Sequence, residues 1–101
     1  MKYNQIVTLS RKIRKELGEE LTSKKNGYFD WQFCGDDDED IELEFYWTEL
    51  SAEQMLSLAK YMSLCPYKSI IRGGRHDFAQ DDSKRNQRYQ IVLVIFVPQT
   101  K

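Results

Sequence analysis

The run Ile91, Val92, Leu93, Val94, Ile95, Phe96 and Val97, closed by Pro98, decides the fold. Side chains branched at Cβ and aromatic rings pack well on a pleated surface, and seven residues is the length of a strand and short for a core helix. The run therefore reads as a strand buried on both faces, extending back to about Arg88. The rest of the chain has to cover it.

Working back from that strand, the polar stretch from Arg75 to Gln87 reads as a long connection, with room for a brief strand from His76 to Ala79. Tyr67 to Arg72 is a short strand that Gly73 and Gly74 break. Before Pro66 lies a helix with clear start signals: Ser51 as N-cap, Gln54 at the capping-box position, and Leu50 placed to staple onto Met55. Ala52, Met55, Leu58, Ala59, Met62 and Cys65 share its inner face. Further upstream, Phe29, Trp31 and Phe33 alternate with Tyr28, Asp30 and Gln32. Ile41, Leu43, Phe45 and Trp47 alternate with Glu42, Glu44 and Tyr46. Two such runs joined by Cys34 to Asp40 make a hairpin with an aromatic inner face and an acidic outer one. Thr22 to Gly27 is a linker turn. Lys2 to Leu21 reads as one amphipathic helix with Tyr3, Ile6, Leu9, Ile13, Leu17 and Leu21 inward.

The order of elements is αββαββ. Its favourable solution inserts the last strand between the third and the second, giving a four-stranded, mainly antiparallel sheet ordered 3-4-2-1, a circular permutation of the split βαβ plait. With both helices on one face this is a two-layer α+β sandwich, a single domain over residues 1–101. Tyr89, Ile91, Leu93, Ile95 and Val97 would face the helices with the aromatic side of the hairpin. On the other face Val92, Val94 and Phe96 would sit beside Glu42, Glu44 and Tyr46, with Tyr28 and Asp30 beyond. An apolar strip rimmed by carboxylates and phenols, if open, is a binding surface. The alternative is that the long connection or the first helix folds over it and closes a third layer.

Charge is distributed unevenly behind a net value of −1. Residues 1–26 hold seven bases against three acids, residues 27–53 hold ten acids and no base, and residues 54–101 hold eight bases against three acids. Such asymmetry bears on partners more than the total does. On the first helix, Arg11, Lys12 and Lys15 lie opposite the apolar face. They read as a solvated surface with Lys12–Glu16 and Lys15–Glu19 pairs four residues apart, or, with Lys24 and Lys25, as a nucleic-acid patch. The bases precede the acids along this helix, against the preference of its dipole.

Recognised chemistries are weakly supported. The run Asp36, Asp37, Asp38, Glu39, Asp40 offers carboxylates to a hard cation, but Ile41 stands where an EF-hand requires glycine, so a solvated acidic tip is preferred and no metal is expected. Arg72-Gly73-Gly74-Arg75-His76 reads as a tight glycine turn, with an anion-binding backbone nest as its alternative. Cys34 and Cys65 lack ligand spacing and read as free thiols of a reducing, cytoplasmic setting. No signal-peptide core or membrane-length apolar run is present, and no cofactor fingerprint. The expectation is a non-enzymatic protein-binding domain, of inhibitor, immunity-like or regulatory kind. Tyr28, Asp30, Asp36, Asp37, Asp38, Glu42, Glu44, Tyr46, Val92, Val94 and Phe96 would engage a basic partner or a second copy. The second expectation is nucleic-acid binding through Arg11, Lys12, Lys15, Lys24 and Lys25.

Overall fold

Three antiparallel pairings build the sheet. The computed structural model describes residues 2–23, 29–34, 40–77 and 88–98, of which 29–34, 74–77 and 88–90 are described through their backbone. The elements are α1 (Tyr3–Leu17), α2 (Glu19–Thr22), β1 (Phe29–Cys34), β2 (Ile41–Trp47), α3 (Ala52–Leu64), β3 (Lys68–Asp77) and β4 (Arg88–Val97). The class is mixed α+β, and the strands run antiparallel in the order β1-β2-β4-β3. The all-apolar strand β4 thus lies inside the sheet, where β2 and β3 satisfy its backbone groups on either side.

The amphipathic segment expected to form one helix is two. Gly18 holds φ at 87°, a backbone conformation that side-chain-bearing residues rarely adopt, and the chain turns there. The break reverses the expected conflict with the helix dipole. Arg14 and Lys15 now close the last turn of α1, and Glu19 and Glu20 open α2, the placement that dipoles favour. At the other end the Gln5 side chain accepts from the Lys2 N–H at 2.9 Å. Ser10 lies fully buried on the inner face of α1, its hydroxyl donating to the Val7 carbonyl at 2.7 Å. Tyr3, expected inward, is 59% exposed; it stands on the first turn, beyond the stripe set by Ile6, Ile13 and Leu17.

Helix α3 starts as its sequence indicates. The Ser51 hydroxyl accepts from the Gln54 N–H at 3.2 Å, and the Gln54 side chain accepts from the Ser51 N–H at 2.7 Å. Its inner face is Leu58, Tyr61, Met62 and Cys65, while Ala52 and Ala59 are exposed. These side chains join Ile6, Ile13 and Leu17 of α1 and Leu21 of α2 against Ile41, Leu43, Phe45 and Trp47 of β2 and Leu93, Ile95 and Val97 of β4. Trp47 is fully buried and donates its indole N–H to the Leu21 carbonyl at 2.6 Å, which fastens the short α2 to the sheet.

Strand β3 departs from expectation at its glycines. The chain continues extended through Gly73 to Asp77, with a register irregularity between Gly73 and His76, and pairs with β4 as far as Asp77–Arg88. Gly73 has no positive φ, so the tight turn expected there is absent. A glycine weakens a strand without breaking it, and here it sits where the ladder slips by a bulge.

Candidate functional site

Registers place three cross-strand rows on the sheet face away from the helices. They are Glu42–Phe96–Lys68, Glu44–Val94–Ile70 and Tyr46–Val92–Arg72, each read from β2 through β4 to β3. The sequence brings Glu42, Glu44, Tyr46, Val92, Val94 and Phe96 to one face, as their alternation requires. What the face does differs from the open strip expected of it. Tyr46, Val92 and Val94 are fully buried, and Phe96 is half-buried against them.

Arg72 supplies a physical reason. Its guanidinium crosses from β3 over the central strand to the carboxylates of β2, with Nη1 3.6 Å from Glu44 Oε2 and Nη2 3.7 Å from Glu42 Oε1. Two strands apart is roughly 10 Å, a span that only a long side chain bridges. Valine is short, so the longer side chains on both neighbouring strands rise above Val92 and Val94, and the arginine passes over them. Helix α1, one of the two candidates for covering this face, packs on the opposite one. The long connection, the other candidate, lies outside the described residues over 78–87.

The polar groups here are satisfied together. The Tyr46 hydroxyl donates to Glu44 Oε1 at 2.5 Å, leaving Oε2 toward Arg72. Glu44 is buried and Glu42 half-exposed, so the outer carboxylate remains within reach of solvent and of a partner. At the far end of the face Lys68 Nζ stands 5.4 Å from the Phe96 ring centroid, cation–π distance. At Arg72 the alternative reading of Arg72 to His76 as an anion nest meets a guanidinium already directed to Glu42 and Glu44.

Other expected site residues divide by position. Asp30 belongs to β1, whose backbone pairs with β2 from Phe29–Tyr46 to Cys34–Glu42, so Asp30 lies on the strand paired with the one that bears Glu42 and Glu44. Tyr28, Asp36, Asp37, Asp38, Lys24 and Lys25 lie outside the described residues. Arg11, Lys12 and Lys15 are exposed on α1. The Lys12–Glu16 and Lys15–Glu19 pairs expected of a solvated face do not form; the ion pairs among the described residues reach none of Arg11, Lys12 and Lys15. Among the described residues no three His, Cys, Asp or Glu side chains come together in a way that could hold a metal ion. None of the described helices is long and apolar enough to cross a membrane.

Sequence reasoning missed three features. Arg72 is legible as a strap only once β3 is set in register against β4. Ile70 and Ile71, both more than a third exposed, lie on the outermost strand. A cleft of about 450 Å³ between α1 and α3, lined by Leu17, Lys60, Tyr61 and Cys65, needs the helix packing to exist. Within it, burial pushes the Tyr61 hydroxyl well above its ordinary value, and its hydrogen bond with Cys65 adds to the effect. Cys65 is a free thiol.

No protein family, curated protein or solved structure matches the chain.

Proposed function

We propose that this chain is a small, non-enzymatic protein-binding domain of the cytoplasm, of inhibitor, immunity-like or regulatory kind, whose acidic hairpin engages a basic partner surface. Its architecture in this reading is the two-layer αββαββ sandwich with both helices on one face, a permuted split βαβ plait. The observation that carries the reading is the pairing of β1 with β2, two strands of a segment, 27–53, whose sequence holds ten acids and no base. Carboxylates packed this closely repel one another, and a basic partner relieves that cost. Within the chain itself Arg72 does so for Glu42 and Glu44. A guanidinium on two carboxylates is also what a basic partner would offer the remainder.

The contact surface in this proposal is Asp30, Asp36, Asp37, Asp38 and the half-exposed Glu42. Tyr46, Val92 and Val94, being buried, support it from beneath, and Phe96 lies at its margin. For association with a second copy the exposed edge is favoured over the buried strip, because Ile70 and Ile71 stand consecutively on opposite faces of an outer strand.

Affinity capture from native-host lysate with wild type, Glu42→Lys and the triple variant Asp36→Asn, Asp37→Asn, Asp38→Asn tests the proposal. A basic partner retained by wild type, released by salt and lost with both variants is expected. Sedimentation of wild type and Ile70→Lys tests self-association. A monomer that retains no partner, or identical capture by all three proteins, would overturn the reading.

A further inference from the structure

Helix α1 presents a second, oppositely charged surface that the protein-binding reading leaves unused. Its outward side carries two shallow recesses that meet at Arg11. The first, about 510 Å³, is lined by Tyr3, Asn4, Val7, Thr8 and Arg11. The second, about 320 Å³, runs from Arg11 past Arg14 and Lys15 to Gly18 and Glu19. Lys12 lies alongside, exposed. An exposed aromatic ring at one end, a hydrogen-bonding amide beside it and a line of cations leading away form the combination that holds single-stranded nucleic acid. In such sites bases stack on the aromatic face and phosphates follow the basic track.

We infer that the outer face of α1 binds single-stranded nucleic acid, with a base stacked on Tyr3 and the backbone running along Arg11 and Lys15.

Charge complementarity singles out this occupant. Arg11, Lys12 and Lys15 sit within two turns of one helix, and no ion pair among the described residues neutralises them. Arg11 and Lys15 are about 6 Å apart along the helix axis, one turn, so both side chains can reach the same short stretch of backbone. Glu19 closes the far end of the second recess and repels phosphate there, which limits the track to the segment between Tyr3 and Lys15. The break at Gly18 makes this possible: it ends α1 after Lys15 and turns Glu19 and Glu20 into the start of another helix. An acidic protein segment could use the cations but has no use for an exposed Tyr3. Duplex nucleic acid could use the cations too, but its bases are stacked already. The inference is independent of the hairpin, since it needs none of the residues from 27 to 53.

Fluorescence anisotropy with labelled single-stranded oligothymidylate and oligouridylate of twenty nucleotides, the matching duplex and vesicles of anionic phospholipid tests it. Single strands are expected to bind at low salt. The logarithmic salt slope should be near −2, from about three phosphate contacts at roughly 0.7 each. Tyr3→Ala should weaken binding roughly ten-fold or more. Arg11→Ala with Lys15→Ala should weaken it further and flatten the slope by about 1.4. These side chains are exposed, so unchanged thermal melting is expected of each variant, and the slope of the wild type is readable without any variant. Absence of single-strand binding at low salt, equal binding by Tyr3→Ala, or tighter binding to duplex or vesicles than to single strands each overturns the inference.

Discussion

The two faces of the sheet share one central strand and solve its burial differently. Toward the helices, Leu93, Ile95 and Val97 meet other apolar side chains from β2 and all three helices, and Trp47 spends its one polar atom on the Leu21 carbonyl. Away from them, Val92 and Val94 are just as buried, yet their neighbours are Tyr46, Glu44 and Arg72. The first face is stabilised by area and shape, which respond little to salt. The second carries in addition a carboxylate that a phenol and a partly exposed guanidinium share, so removing a partner of Glu44 leaves a buried charge with fewer hydrogen bonds. A strand apolar on both sides therefore does not imply two equivalent cores.

The largest effect should come from the helix-covered face. Trp47→Ala removes a fully buried ring and leaves the Leu21 carbonyl without its donor, at a cost of about 3–5 kcal/mol. Since a domain of this size is stable by about 5–15 kcal/mol, chemical denaturation should show a marginal or unfolded variant. Retention of a near-wild-type midpoint would mean that α2 contributes little to the core. Next, Val94→Ala probes the other face. Loss of two methyl groups from a buried position should cost about 2 kcal/mol, against less than about 0.5 kcal/mol if the face were open to solvent. The two outcomes separate a second buried cluster from an exposed strip.

Much of this contrast was legible in the residues, and the rest was not for identifiable reasons. The mixed α+β class, the strand at Arg88–Val97 and the capping box at Ser51 follow from local signals, since period, branching and cap chemistry are properties of short segments. Val92 and Val94 are buried beside Tyr46 and Phe96, and Arg72 reaches from the adjacent strand β3 across β4 to the carboxylates of β2. No local pattern encodes that register. Gly18 and Gly73 show a related ambiguity. One breaks a helix at positive φ and the other sits within a strand, although both are single glycines in otherwise periodic stretches. The candidate binding residues divide likewise: alternation put Glu42, Glu44 and Tyr46 on one face, but their engagement by Arg72 required the fold.

A smaller effect is expected where the faces differ in kind. Arg72→Ala removes the strap and leaves Glu44 with Tyr46 alone, costing about 1 kcal/mol, because the guanidinium is 44% exposed and partly screened by solvent. Its cost should shrink as salt is raised, while that of Trp47→Ala should not. Denaturant midpoints for both variants at low and high salt test the distinction. Equal salt dependence would show that the second face is held by packing alone. Arg72→Met keeps the length of the side chain over the valines without its charge, so recovery of stability in that variant would assign the effect to coverage.

The smallest effect sharpens the comparison from the other side, because the helix-covered face also contains a titratable group. Tyr61 packs against that core, and burial followed by its hydrogen bond with Cys65 raises its pKa well above the ordinary value. The neutral phenol is therefore the form the fold prefers, whereas the unfolded chain ionises near 10. Above that pH the unfolded state has released a proton that the folded state retains, so the contribution is fully present below about pH 10 and is lost progressively as pH rises beyond it. Tyr61→Phe removes the ionisation together with the hydrogen bond. Its melting temperature should lie slightly below that of the wild type at pH 8, and the gap should narrow or reverse by about pH 11. Melting curves of both proteins across that interval provide the check. A gap that stays constant with pH would mean that Tyr61 ionises as readily folded as unfolded, and that the cleft between α1 and α3 admits enough water to solvate a phenolate.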